Sequence, residues 1–133
     1  MRYSGFGYLS VIASVAEGAA PISGASVRVL GVDEENRDEE AFAITDIDGK
    51  AGPLRLIAPD AIYSEAPTPK EKPYAVYEVL IKKSGYYDKL FRGVAVFDGI
   101  TTVIEANMIP GISGVVISGE NTESNSQENP YLE

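Results

Sequence analysis

Asp46-Ile47-Asp48-Gly49 places two carboxylates at alternate positions ahead of a glycine, the spacing with which many calcium loops begin. Side-chain oxygens so spaced can converge on a hard cation, with Glu39 or Glu40 as nearby further donors. An EF-hand loop also needs a bidentate glutamate at its twelfth position, and counting from Asp46 that position is Ile57. The same four residues read equally as a glycine-ended turn between strands. The turn, with no cofactor, is the expectation, and calcium at Asp46 and Asp48 is the alternative. A second candidate set is aromatic, because flat amphipathic rings on a protein surface stack on sugars or dock peptides. Of the tyrosines, Tyr77 alternates in phase with apolar neighbours and belongs to a core, and Tyr86 follows Gly85 at a corner. Tyr63, Tyr74 and Tyr87 remain as candidate ligand-binding rings.

The rest of the chain narrows the chemistry. It has no cysteine, which removes disulfides, thiolate metal sites and thiol nucleophiles, and leaves the redox compartment undetermined. It has no histidine, so the commonest general base and zinc ligand is missing. An enzyme would have to work with carboxylates alone, and nothing in the sequence sets a pair of them at a defined separation. The expectation is a protein that does not catalyse. Residues 33–40 hold six acids and one base, and Glu120, Glu123, Glu128 and Glu133 add four acids, so these two stretches account for the whole net charge of −9. Both read as solvated loop and tail. Nucleic-acid binding needs a concentrated positive face, and none is present.

The elements that would position these groups are strands. In Tyr8–Val15 the residues Leu9, Val11, Ala13 and Val15 alternate with Tyr8, Ser10, Ile12 and Ser14, and the first set is expected to face a core. Arg2 with the apolar run 6–16 imitates a secretory leader, but its alternating serines carry the strand period, and cleavage would delete that first strand. No signal peptide is expected, and the sequence leaves the place undetermined, with the cytoplasm and the spore or cell envelope both open. No run approaches the roughly 18 to 20 apolar residues of a membrane span. Further strands are predicted over 25–32 (Val27 and Val29 inward), 41–45, 54–57, 74–83 (Ala75, Tyr77, Val79 and Ile81 inward), 94–97 and 101–109 (Thr102, Ile104, Ala106 and Met108 inward). Pro59, Pro67, Pro69 and Pro73 mark a long loop over 58–73, and Asp98-Gly99 reads as a hairpin turn. Together these predict an all-β domain over residues 1–110, a single seven-stranded antiparallel β-sandwich. Residues 111–118 form an extra edge strand or a contact through which copies of the chain associate. Residues 119–133 read as an acidic, polar, disordered tail.

Pro21-Ile22-Ser23-Gly24-Ala25-Ser26-Val27-Arg28-Val29, Thr45-Asp46-Ile47-Asp48-Gly49-Lys50, and Tyr77-Glu78-Val79-Leu80-Ile81 with Ser84-Gly85-Tyr86 resemble, in that order, the carboxypeptidase regulatory-like domain. Gly7-Tyr8-Leu9, Pro73-Tyr74-Ala75-Val76-Tyr77, the run Gly93–Thr101 and Asn107-Met108-Ile109-Pro110 are similar to a clostridial subgroup of small proteins of that type, some associated with peptidoglycan-binding modules. The resemblance covers roughly residues 7–110. It implies a transthyretin-like, Greek-key sandwich that serves as a non-catalytic accessory or interaction module for a protein partner or a cell-wall glycan. A carbohydrate-binding module using the tyrosines and a calcium-stabilised structural domain are the alternatives. Similar domains in Gram-positive adhesins form a Lys–Asn isopeptide bond assisted by an acid; Asn107 and Glu78 would suit two of those roles, but the first strand has no lysine.

Overall fold

The computed structural model describes residues 3–61 and 72–118. Tyr63 and the tail 119–133 lie outside them. Nine strands form: β1 (Gly5–Val15), β2 (Ala20–Pro21), β3 (Ser26–Gly31), β4 (Glu40–Ile44), β5 (Lys50–Ala58), β6 (Ala75–Lys82), β7 (Asp88–Val96), β8 (Thr101–Met108) and β9 (Val115–Ser118). They make two sheets facing one another across a single apolar layer. In the first, β8 runs along one edge of β1, and β5 runs along the other with β2 beyond its end. The second has the order β4-β3-β6-β7-β9.

The alternation read from sequence explains the packing. Leu9, Val11 and Ala13 of β1, Val27 and Val29 of β3, and Ala75, Tyr77, Val79 and Ile81 of β6 are all sealed from solvent. Ile104, Ala106 and Met108 of β8 join them, whereas Val15 and Thr102 are half-buried. Tyr77 is the largest fully buried side chain, and its hydroxyl donates to the Ile57 carbonyl at 2.7 Å. That bond links the central strand of one sheet to the other sheet. Thr45 makes a second buried tie, its hydroxyl donating to the Ile22 carbonyl at 2.7 Å and accepting the Ala25 N–H at 2.9 Å.

Three expectations need correction. The described residues hold nine strands rather than seven, because a two-residue β2 completes a hairpin with β1 and 115–118 enters the second sheet as β9. The sheets are not purely antiparallel, since β1 pairs β8 and β7 pairs β9 in parallel. Asp98-Gly99 does not close a hairpin. It carries the chain from β7 in one sheet to β8 in the other, with Gly99 N–H donating to the Phe6 carbonyl at 2.8 Å.

The acidic stretch 33–40 is a turn, as expected, but it is not merely solvated. Asn36 is 1% exposed; its Oδ1 accepts the Asp33 N–H at 2.7 Å and its Nδ2 donates to the Val76 carbonyl at 3.0 Å. The Asp33 carboxylate in turn accepts the Tyr3 hydroxyl at 2.9 Å, the Val76 N–H at 2.9 Å and Lys72 Nζ at 3.1 Å. Burial and this carboxylate together push the Tyr3 phenol above its ordinary range. Asp98 is the counterpart on the other side of the same end, accepting the N–H groups of Phe6 at 3.0 Å and Ala61 at 2.9 Å.

Candidate functional site

The outer face of the five-stranded sheet is the candidate surface. Register alone assembles it: Phe42 lies opposite Arg28, Arg28 opposite Leu80, Leu80 opposite Leu90, and Leu90 opposite Ile117. One row therefore crosses all five strands, apolar except at Arg28. Phe42 is 59% exposed, and Ile44, next on the same face of β4, is 57% exposed. Glu40 pairs with Arg28 at 2.9 Å, Glu78 with Arg92 at 3.5 Å and Asp88 with Lys82 at 3.9 Å. Exposed pairs of this kind add little stability. Their effect is on charge: three acids and three bases cancel on this face of a chain whose net charge is −9. An apolar row rimmed by neutralised charge matches the composition of protein-binding surfaces.

No family model matches the chain, and no curated protein matches it. Among solved structures it is similar to the Bacillus anthracis TIE protein. The identity is 19% and the TM-score 0.49, over 80% of this chain and 17% of that one. The chain thus spans under a fifth of that protein's length.

A second concave feature lies on the other sheet, a cleft of about 710 Å³ between the β1–β2 turn and β8. Ile12 and Pro21 contribute its apolar surface, and Glu17, Asp48, Glu105 and Asn107 line it with polar groups. Asn107 Oδ1 accepts the Glu17 N–H at 3.0 Å, in a turn where Ala16 and Glu17 both take positive φ. Asn107 faces outward on the first sheet and Glu78 outward on the second, so the two residues of the cross-link reading are not brought together.

The remaining candidates are placed as follows. Tyr74 precedes β6 and packs on Phe97 in a tilted arrangement, with ring centroids 5.3 Å apart and planes 52° from parallel. Tyr87 follows the β6–β7 turn at the far end of β6 and packs against Gly111. The whole of β6 separates the two rings, so they do not form one platform. Asp46 Oδ1 accepts the N–H groups of Asp48 at 2.9 Å and Lys50 at 3.0 Å. Asp48 points instead toward the cleft. Gly49 completes the turn at a φ of 78°, where its missing Cβ admits the Ala13 carbonyl. Among the described residues no three His, Cys, Asp or Glu side chains gather as a metal site.

The bond from the Lys50 N–H, with a smaller part from Asp48, holds the Asp46 carboxyl below its ordinary value of 3.8. A lowered folded-state pKa gives stability that is present above pH 3.8 and lost as the pH falls through the folded value. Melting temperature should therefore drop on acidification below about pH 4. In Asp46→Asn, whose Oδ1 accepts the same bonds without titrating, the drop should be shallower; an identical slope in thermal melts from pH 2 to 6 would remove this role.

The surface row was not anticipated. In Ala41-Phe42-Ala43-Ile44 the large residues alternate with alanines, and the signal available was that alanine suits the crowded inner side of an edge strand while the bulky pair is left outside.

Proposed function

We propose that the chain is a non-catalytic interaction module that docks a protein partner on the outer face of its five-stranded sheet. The observation that carries this reading is the row Phe42, Arg28, Leu80, Leu90, Ile117, a ribbon across the whole sheet with its neighbouring charges cancelled. A cell-envelope polymer fits less well, because sugar stacking needs flat rings and Phe42 is the single aromatic of the row. We assign the sandwich to the transthyretin-like, Greek-key, carboxypeptidase regulatory-like type. Its support is the strand grammar of Pro21–Val29, Thr45–Lys50 and Tyr77–Tyr86 together with the two facing sheets.

The test uses a photo-crosslinking residue at Leu90 or Ile117, with Val103 on the opposite sheet as control, in the cells from which the protein comes. The reading predicts one discrete adduct from positions 90 and 117, lost on Leu80→Glu, and none from 103. Equal labelling at all three positions, or co-sedimentation with purified peptidoglycan that Leu80→Glu leaves intact, would overturn it.

A further inference from the structure

We infer that the outer edge of β4, which pairs with no strand among the described residues, pairs with β4 of a second copy, antiparallel and centred on Phe42. The inference concerns this edge and stands whether or not a protein partner docks on the face. Its basis is which backbone groups the edge leaves open. In the β3–β4 ladder Gly31 N–H donates to the Glu39 carbonyl and Thr45 N–H to the Ala25 carbonyl. Both pairs continue the β3–β4 register by one residue at each end, so by alternation the odd-numbered positions of β4 bond to β3. By alternation the N–H and C=O groups of Glu40, Phe42 and Ile44 aim at the open edge.

Those three positions are self-complementary. A two-fold axis at Phe42 sets Phe42 against its own copy and Glu40 against Ile44 of the partner subunit. Each facing pair then exchanges both of its backbone bonds. The two Phe42 rings, each 59% exposed in one copy, come side by side on the outer face. Glu40, already held by Arg28 at 2.9 Å, meets an aliphatic side chain rather than another acid.

Charge selects the direction. Residues 33–40, with six acids and one base, lead directly into β4. Parallel pairing would bring the two acidic stretches together, and antiparallel pairing sends them to opposite ends of the joined sheet. The other edges carry the devices that discourage pairing. On β5 these are Pro53 and a register shift, β9 has four residues, and β8 points Glu105 outward, whereas the outward Glu40 of β4 is neutralised by Arg28. β4 has no proline, no lysine and no register shift.

Sedimentation equilibrium of the full chain should give twice the monomer mass at tens of micromolar. Phe42→Lys, at an exposed side chain, should return the mass to monomer with an unchanged far-UV circular dichroism spectrum. Register is read by single cysteines, which the native chain lacks. Phe42→Cys should oxidise to a covalent dimer because its facing Cα lies about 5.5 Å away, within disulfide range. Ile44→Cys should not, since its symmetry mate is four residues distant along the strand. A monomeric wild type at every concentration overturns the inference. So does a dimer that survives Phe42→Lys, dissolves on Ile117→Lys, or cross-links as fast through position 44 as through 42.

Discussion

Tyr77→Ala is expected to cost about 4 kcal/mol of folding stability, a large share of the ~5–15 kcal/mol that holds a domain of this size together. Two losses combine at this site. The ring is fully buried between the sheets, so truncation leaves a cavity, and its hydroxyl no longer meets the Ile57 carbonyl at 2.7 Å. Tyr77→Phe separates them, keeping the ring and removing the bond for about 1–2 kcal/mol. Urea titration of the three proteins checks the order. Equal midpoints for wild type and Tyr77→Phe would show that the hydroxyl contributes nothing. Burial also pushes this phenol above its ordinary value of 10.0. A raised folded-state pKa gives stability that is complete below pH 10 and is lost as the pH climbs through the folded value. The wild type should accordingly lose melting temperature in alkali more steeply than Tyr77→Phe.

Asn36→Ala should cost about 2 kcal/mol, because it takes the acceptor from the Asp33 N–H and one of two donors from the Val76 carbonyl, which keeps the Val32 N–H. The neighbouring Glu35→Ala, at an exposed side chain, should fall within about 0.5 kcal/mol of wild type. Hydrogen exchange gives a local readout: the Asp33 amide, which Asn36 accepts, should lose protection before those of β1. If Asn36→Ala and Glu35→Ala behave alike, the turn does not depend on its buried amide. Gly31 belongs to the same contact, since a Cβ there would run into the Asn36 carbonyl.

Period-two alternation made the core legible in β1, β3, β6 and β8, where one face is sealed and the residues keep phase. It failed where phase or composition breaks. β7 begins at Asp88, not at Val94, because Asp88–Gly93 mixes charges with a glycine at positive φ and its pairing with β6 slips between Tyr77 and Val79. β5 begins at Lys50 and runs through Gly52-Pro53, a dipeptide that reads as an interruption. Asn36 could not be found from its neighbours, for its decisive partner is Val76, and a buried amide within an acidic run looks like any other polar residue. Pairing partners are likewise not written locally, so the parallel neighbours of β1 and β7 are set by the folded sheets and not by any local pattern. The candidate face was half legible: Leu80 and Leu90 could be placed on strands, but the row exists only once five registers are known.

Because Tyr8 sits beside Thr101 and Val15 beside Met108, β1 keeps one flank bare until β8, the last strand of its sheet in chain order, has left the ribosome. Such distant pairing makes for slow folding. The nascent chain must meanwhile carry an apolar ribbon awaiting its neighbour, which makes the interval before β8 is synthesised the moment when chaperone binding matters most.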